Sequence, residues 1–428
     1  MTMKLRNRLI ALVCLIIFLT LGFLLFLSTG PRKPFAVILF VADNINSSSL
    51  GAARLYAGGG DARMQLEAFP NTALCRNAAN DFSVPDQASA STQIASGRRV
   101  NRNALCIDEN GAKLTSLLEE AAAMGRSTGL VTSGCITSPT AAAYYAKSLN
   151  AENAIDLALQ FSSHAPFDFV AGGGAVDFET QEKKDDKHAK DAPPKESPQT
   201  VQNGLDGMAT LHTLNEIETH PFWKKTPRLG LLSPGPLHET WGSQDSGTPT
   251  LSDLVRVAIK NLQTNRRGYL LVVDDPSIAA AASGNDGEAM LRRILSFDQA
   301  VSTARHYAGD KALIVVTGRM NIGGLQLNGY PFLHDKGVAI LALNNQGYPT
   351  ICWSTGPGYS IEGSGETLQK KKSDSASVGI LSQPSAYKLP DAVGTAGDVL
   401  AFGTGQGSEK IHGFLNLTDL NRIIRDLL

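Results

Sequence analysis

The chain is short of the features that mark several common protein classes. Lys and Arg number 39 against 40 Asp and Glu, a formal net charge of −1, so no surplus of one sign points to nucleic acid or to an acidic partner. There are five cysteines, and no CxxC pair that would signal a zinc ribbon or a redox motif. The glycine-rich VAGGG and GTGQG segments have neither P-loop nor dinucleotide spacing and are expected to be turns. No internal repeat is present. Charge is also missing from the run Leu9–Leu27, which is uninterrupted and apolar and follows Lys4, Arg6 and Arg8.

That run is long enough to cross most of a bilayer as a helix, at ~1.5 Å per residue against a core of ~30 Å. It exceeds a usual signal-peptide core and lacks a clear small-x-small cleavage site, which favours an uncleaved signal anchor over a cleaved peptide. The basic residues ahead of it put the N-terminus in the cytoplasm. Residues 1–33 are thus expected to be anchor and linker, and residues 34–428 a domain in the periplasm or an equivalent extracytoplasmic space. There Cys75, Cys106, Cys135 and Cys352 could form two disulfides in three connectivities, or remain buried thiols; both readings stay open.

What is present supports a large folded domain: 43 % hydrophobic and 18 % charged residues. Apolar runs alternate with amphipathic stretches. Strands are expected at Phe35–Val41, Thr128–Thr132, Phe169–Ala171, Arg228–Leu232, Tyr269–Val273, Leu313–Thr317 and Val338–Leu343. Helices are expected at Thr115–Met124, Asn153–Ser162, Leu251–Gln263, Leu291–Ala308 and Thr418–Leu428. This alternation implies an α/β fold, three layers in α/β/α order with a mostly parallel sheet and function at the carboxyl ends of its strands. Phe178–Thr200, charged and with three prolines, reads as a solvated insertion holding His188, and Glu362–Ser377 as a second surface excursion.

Several segments carry a family resemblance. Ile38–Gly59 (ILFVADNINSSSLGAARLYAGG), Phe82–Asp108, Thr128–Asn153, Phe167–Gly174, Thr248–Leu262, Leu270–Ile278, Ser296–Ala304, Ala312–Gly318, Gly394–Gly405 and Phe414–Leu428 resemble, in order, segments of the alkaline phosphatases. The resemblance implies that family's fold and, in active members, a serine nucleophile, two zinc ions about 4 Å apart, an arginine gripping phosphate and a magnesium site.

Position by position, this sequence departs from that machinery. The nucleophile position after Asp86 holds Gln87, whose amide cannot accept a phosphoryl group. Ser89 could replace it only through a slip of helix register. The Asp-His pair of the second zinc site is Arg319 and Met320. The first zinc site falls on Ala279, Ser283 and Gly394, and the phosphate-gripping arginine on Ala151. No histidine occupies a family metal position, so zinc is not expected. Asp43, Thr140 and Asp274 do match oxygen ligands of the magnesium site, and such ligands suit magnesium or calcium. The competing reading is that both carboxylates bond to backbone or to a side-chain cation. Arg319 is expected to pair with Asp43, shared with Asp86, in place of the lost zinc charge.

Arg98, Arg99 and Arg102 read as a solvated helix end rather than an anion site, and Asn46 and Asn416 head weak glycosylation sequons. The functional expectation is a membrane-anchored, alkaline-phosphatase-like pseudoenzyme that binds or scaffolds an unidentified protein or small anionic partner, with no nucleic acid. The alternatives are a phosphomonoester hydrolase with a divergent nucleophile and metal set, or an ion-sensing pocket. A homodimer is implied by resemblance alone.

Overall fold

In a computed structural model of the chain, the described residues are 11–22, 35–164, 166–178, 205, 207–221, 226–240, 247–328, 335–342, 348–358 and 383–428. Of the expected insertion Phe178–Thr200, residues 179–200 with His188 lie outside them, as does the excursion Glu362–Ser377; Phe178 itself is buried in a hydrophobic core rather than solvated. The chain divides into two compact units, Met1–Pro34 and Phe35–Leu428. In the first, residues 11–22 are helical and exposed. Among the described residues no helix is long and apolar enough to cross a membrane, and both ends of the Leu9–Leu27 run lie outside those residues.

The second unit is built on fifteen described strands: β1 (Ala36–Ala42), β2 (Asn71–Arg76), β3 (Ser127–Cys135), β4 (Phe169–Gly173), β5 (Ala209–Leu211), β6 (Arg228–Leu231), β7 (Tyr269–Asp275), β8 (Leu313–Gly318), β9 (Asn321–Ile322), β10 (Gln326–Leu327), β11 (Ile351–Gly356), β12 (Ser385–Lys388), β13 (Gly394–Thr395), β14 (Val399–Thr404) and β15 (Gly413–Asn416). Ten of them form one sheet in the order β15-β2-β14-β8-β1-β7-β3-β4-β6-β5. Every neighbouring pair in it is parallel except the two that β14 makes, with β2 and β8.

A parallel strand in the middle of such a sheet is covered on both faces, which is why β1 reads as an unbroken apolar run. Its side chains alternate between two cores. Ala36, Ile38, Phe40 and Ala42 enter one, with helices α1 (Ser47–Gly58), α4 (Leu251–Leu262) and α6 (Gly287–Ala308). Val37, Leu39 and Val41 enter the other, with α2 (Gln87–Ser96), α3 (Leu117–Ala123) and α7 (Leu417–Arg425). Phe40 meets Phe297 of α6 edge to face, centroids 5.6 Å apart. The three-layer expectation holds.

One expected strand does not form. Gly337–Leu341 is a 3₁₀ turn rather than part of a strand at Val338–Leu343. It opens on Gly337 at φ +61 and buries Ile340 in the first core. A short apolar run looks the same to periodicity whether it is strand or turn.

None of the five cysteines is in a disulfide. Cys75 on β2 and Cys106 are buried; burial pushes the Cys75 thiol up to about 12 and the Cys106 thiol up to about 11. Both therefore stay protonated and inert at neutral pH. With a thiol reagent at pH 8, Cys135 and Cys352, which are half-buried, should label in the native protein. Cys75 and Cys106 should label only on unfolding, as peptide mass mapping would show.

Candidate functional site

The carboxyl ends of β1, β7 and β8 meet at one point, and there the chain places two carboxylates and a guanidinium. Asp43 follows β1, Asp274 sits at the end of β7 and Arg319 follows β8. All three side chains have zero exposure. Arg319 Nη2 lies 3.0 Å from Asp43 Oδ2 and its Nε 3.3 Å from Oδ1, a two-pronged pair. Its Nη1 donates to Asp274 Oδ1. The expected Arg319–Asp43 pair is therefore present. The second carboxylate sharing the guanidinium is Asp274, not Asp86. Asp86 is held in a capping box at the start of α2, where it accepts from the Ser89 amide and, at 2.6 Å, from the Asn103 amide.

The other oxygens of the pair are also engaged. Gln87, first residue of α2, donates its amide to Asp43 Oδ2 at 2.8 Å. Thr132 and Thr140 donate their hydroxyls to Asp274 Oδ2 at 2.7 and 2.8 Å. Asp43, Thr140, Asp274, Gln87 and Arg319 are thus gathered as one hydrogen-bonded cluster. Ser89 does not join it. Its hydroxyl turns back to the Asp86 backbone to close the capping box, so helix geometry keeps it away from Asp43.

Backbone latches hold the arginine in place. The Arg319 amide donates to Ala42 O, the Asn44 amide to Met320 O and the Asn77 side chain to Arg319 O, at 2.9, 2.8 and 2.8 Å. Asn44 is fully buried at φ +59 and ties its amide group to Ile322. The left-handed region is open to Asn at modest cost, which lets the chain turn sharply after Asp43.

The remaining positions flagged in the sequence fill space or bond backbone. Met320 is 5 % exposed; a methyl group added at Gly394 would sit 2.6 Å from its Cε and 3.0 Å from Val84 Cγ1. Met320 and Val84 thus occupy the volume beside Gly394. Ala279 is buried in α5 (Ser277–Ser283), and Ser283 O accepts from the Ala392 amide. Ala151 is buried, its amide shared between the backbone and side-chain oxygens of Asn103. Among the described residues no three or more His, Cys, Asp or Glu side chains gather as a metal-binding group. Asn46 and Asn416, the two sequon residues, cap α1 and α7. Arg98, Arg99 and Arg102 are exposed, with Arg102 over the Phe82 ring.

The electrostatics follow from too little positive charge for the buried carboxylates. Asp275, next to Asp274, is also fully buried and accepts from Ser133 and from the Ser277 amide. It was not singled out from the sequence; the Asp-Asp pair ending an apolar strand was the available signal. Burial pushes Asp275 above the usual carboxylate range despite those bonds. It does the same to Asp43, against the Arg319 charge and the Gln87 amide. For Arg319 burial works against the charge, but Asp43 and then Asp274 outweigh it and raise its pKa above the ordinary guanidinium value. The arginine is therefore permanently cationic and fixed against two carboxylates.

This geometry matches a known fold. The family model for alkaline phosphatase matches residues 35–428. Alkaline phosphatase 4 of Bacillus subtilis (strain 168) is 27 % identical over 374 residues, covering 81 % of this chain and 77 % of that protein. The human tissue-nonspecific isozyme is 24 % identical over 428 residues, covering 88 % and 80 %. Among solved structures, the alkaline phosphatase of the Antarctic bacterium TAB5 superposes with a TM-score of 0.69 at 21 % identity, covering 92 % of this chain and 98 % of that one. A TAB5 His-to-Asp mutant is described with Mg bound in its M3 site. The match across nearly the whole of the second unit, with the cluster at the carboxyl end of its sheet, places this chain in the alkaline phosphatase family.

Proposed function

We propose that this family member is a membrane-anchored pseudoenzyme, which binds or scaffolds a partner outside the cytoplasm and does not hydrolyse phosphoesters. One observation carries the reading: the Arg319 guanidinium, fully buried, bridges Asp43 and Asp274 at the position where the resemblance calls for a zinc ligand. A side-chain cation there replaces the metal's charge but cannot activate a nucleophile, and the nucleophile position holds an amide already donated to Asp43.

The residues do not fit the ions that active relatives require by resemblance. Arginine offers no lone pair to a metal. Every carboxylate oxygen of Asp43 and Asp274 already accepts a donor from the protein. A magnesium or calcium ion between them would meet a fixed positive charge. The anchor rests on Lys4, Arg6 and Arg8 ahead of the Leu9–Leu27 run. The partner's chemistry, a protein or a small anion, is carried from sequence alone.

The test is purified full-length protein assayed with p-nitrophenyl phosphate in the presence of zinc and magnesium. Turnover should not exceed the uncatalysed rate, and neither metal should raise the unfolding midpoint. Metal-dependent turnover abolished by Asp43→Asn would overturn the proposal.

A further inference from the structure

We propose that the face of the domain opposite the Arg319 cluster is a docking surface for an anionic phospholipid bilayer; this rests on the anchor reading above. That face is the edge where the four central strands begin. β1, β3, β7 and β8 start in register there: Ala36 beside Tyr269, Ser127 beside Tyr269 and Val37 beside Leu313. The turns leading into them lie side by side. Asn265 donates to Gly125 O at 3.0 Å, Arg126 to Arg267 O at 2.9 Å, and the Tyr269 amide to Phe35 O at 3.2 Å.

These turns and the helix ends feeding them carry exposed Lys260, Arg266, Arg267, Arg305 and Lys311. Among the described residues, none of the five forms an ion pair. Lys260 instead lies over the Tyr307 ring. Fewer acidic residues are left unpaired at this edge: Asp310 and Glu409 are exposed, Asp168 accepts from the Thr128 amide, and Glu120 and Asp426 are paired with Arg425 and Lys410. Met124 adds an apolar side chain that is 48 % exposed. The chain as a whole has a net charge of −1, so this basic edge is a local property of the fold.

A competing account is that cations favour the carboxyl ends of helices. It covers Lys260 and Arg305, in the last turns of α4 and α6. It does not cover Arg266, Arg267 and Lys311, which lie beyond those helices. Tether length selects the partner. The chain enters β1 at this same edge, and the seven residues Ser28–Pro34 separate Phe35 from the apolar run. Fully extended they reach ~25 Å, so an embedded run keeps this face close to headgroups. Each basic residue near an anionic leaflet strengthens attraction by roughly fivefold, an effect that salt screens.

The experiment uses the full chain with vesicles of phosphatidylcholine alone or with phosphatidylglycerol added. Flotation with phosphatidylcholine vesicles in high salt tests the anchor by itself, and loss of the chain there would refute the anchor without touching the surface. The surface is tested by low-salt binding and hydrogen exchange. Phosphatidylglycerol should slow exchange of the amides at 264–268 and 309–312 severalfold, and high salt should abolish the effect. R266Q/R267Q/K311Q should remove it. If the anchor fails, low-salt flotation with phosphatidylglycerol but not phosphatidylcholine vesicles still supports the surface. Equal exchange and equal binding with both lipids would overturn it.

Discussion

Replacing Arg319 with methionine should destabilise the domain by about 3–5 kcal/mol at neutral pH, the cost of leaving buried carboxylates without their cation. Arg319 makes three hydrogen bonds to Asp43 and Asp274, and none of the three side chains reaches solvent. Water cannot compensate for the loss. The deficit should also depend on pH. The folded-state pKa of Asp43 already lies above the ordinary 3.8. A carboxyl raised in this way contributes stability that is full below its unfolded value and is lost as pH rises through the folded one. Removing the guanidinium raises Asp43 further, so Arg319→Met should lose more relative to wild type at pH 7 than at pH 4. Adding Asp43→Asn and Asp274→Asn should recover much of the loss, because the site then holds no unpaired charge. Urea unfolding of the three proteins at both pH values checks this; a single-variant loss below ~1 kcal/mol would show that the pair contributes no more than a surface one.

Restoring metal ligands should convert the site from metal-indifferent to metal-dependent. Arg319→Asp with Met320→His removes the bridging cation and returns a carboxylate and an imidazole beside Asp43, a donor set that zinc accepts. Without metal, this variant crowds three buried carboxylates together and should be less stable than Arg319→Met. With zinc at 100 to 1,000 times its dissociation constant, stability should rise by about 3–4 kcal/mol by mass action. The wild type should not respond. Hydrolysis should stay absent even with Gln87→Ser added, since Ala151 supplies no grip on phosphate and Ala279, Ser283 and Gly394 hold no second ion. Calorimetric titration with zinc reads both proteins directly, and a wild type that gains as much as the variant would contradict the account.

The strands of the central sheet were legible because burial on both faces makes each an unbroken apolar run, as at Phe35–Val41 and Tyr269–Val273. The turn at Gly337–Leu341 was misread for the same reason, since its short apolar stretch carries no periodicity. Strand β14 sits in the sheet interior yet runs antiparallel, a matter of chain path that its own residues do not encode. At the site, the departures from the residues that the resemblance implies were readable position by position. The partners of the substitute cation were readable only in part. Asp43 was anticipated, but Asp86 was expected to share the guanidinium, whereas its carboxylate caps α2. Thr132 gave no distinguishing signal, because a hydroxyl at a strand end is common; Asp275 was signalled only by the Asp-Asp pair that closes its apolar strand.

The sequence by itself determined which side chains stand where the resemblance puts a metal ligand and the nucleophile: Arg319, which has no lone pair for a metal, and Gln87, which has no nucleophilic oxygen. Only the tertiary structure decided what occupies the space instead. Asp43 and Asp274 are far apart along the chain, and pairing of β1 with both β7 and β8 brings them within reach of one guanidinium. Register in a parallel sheet fixes which strand ends coincide, and that is a property of long-range hydrogen bonding rather than of local sequence.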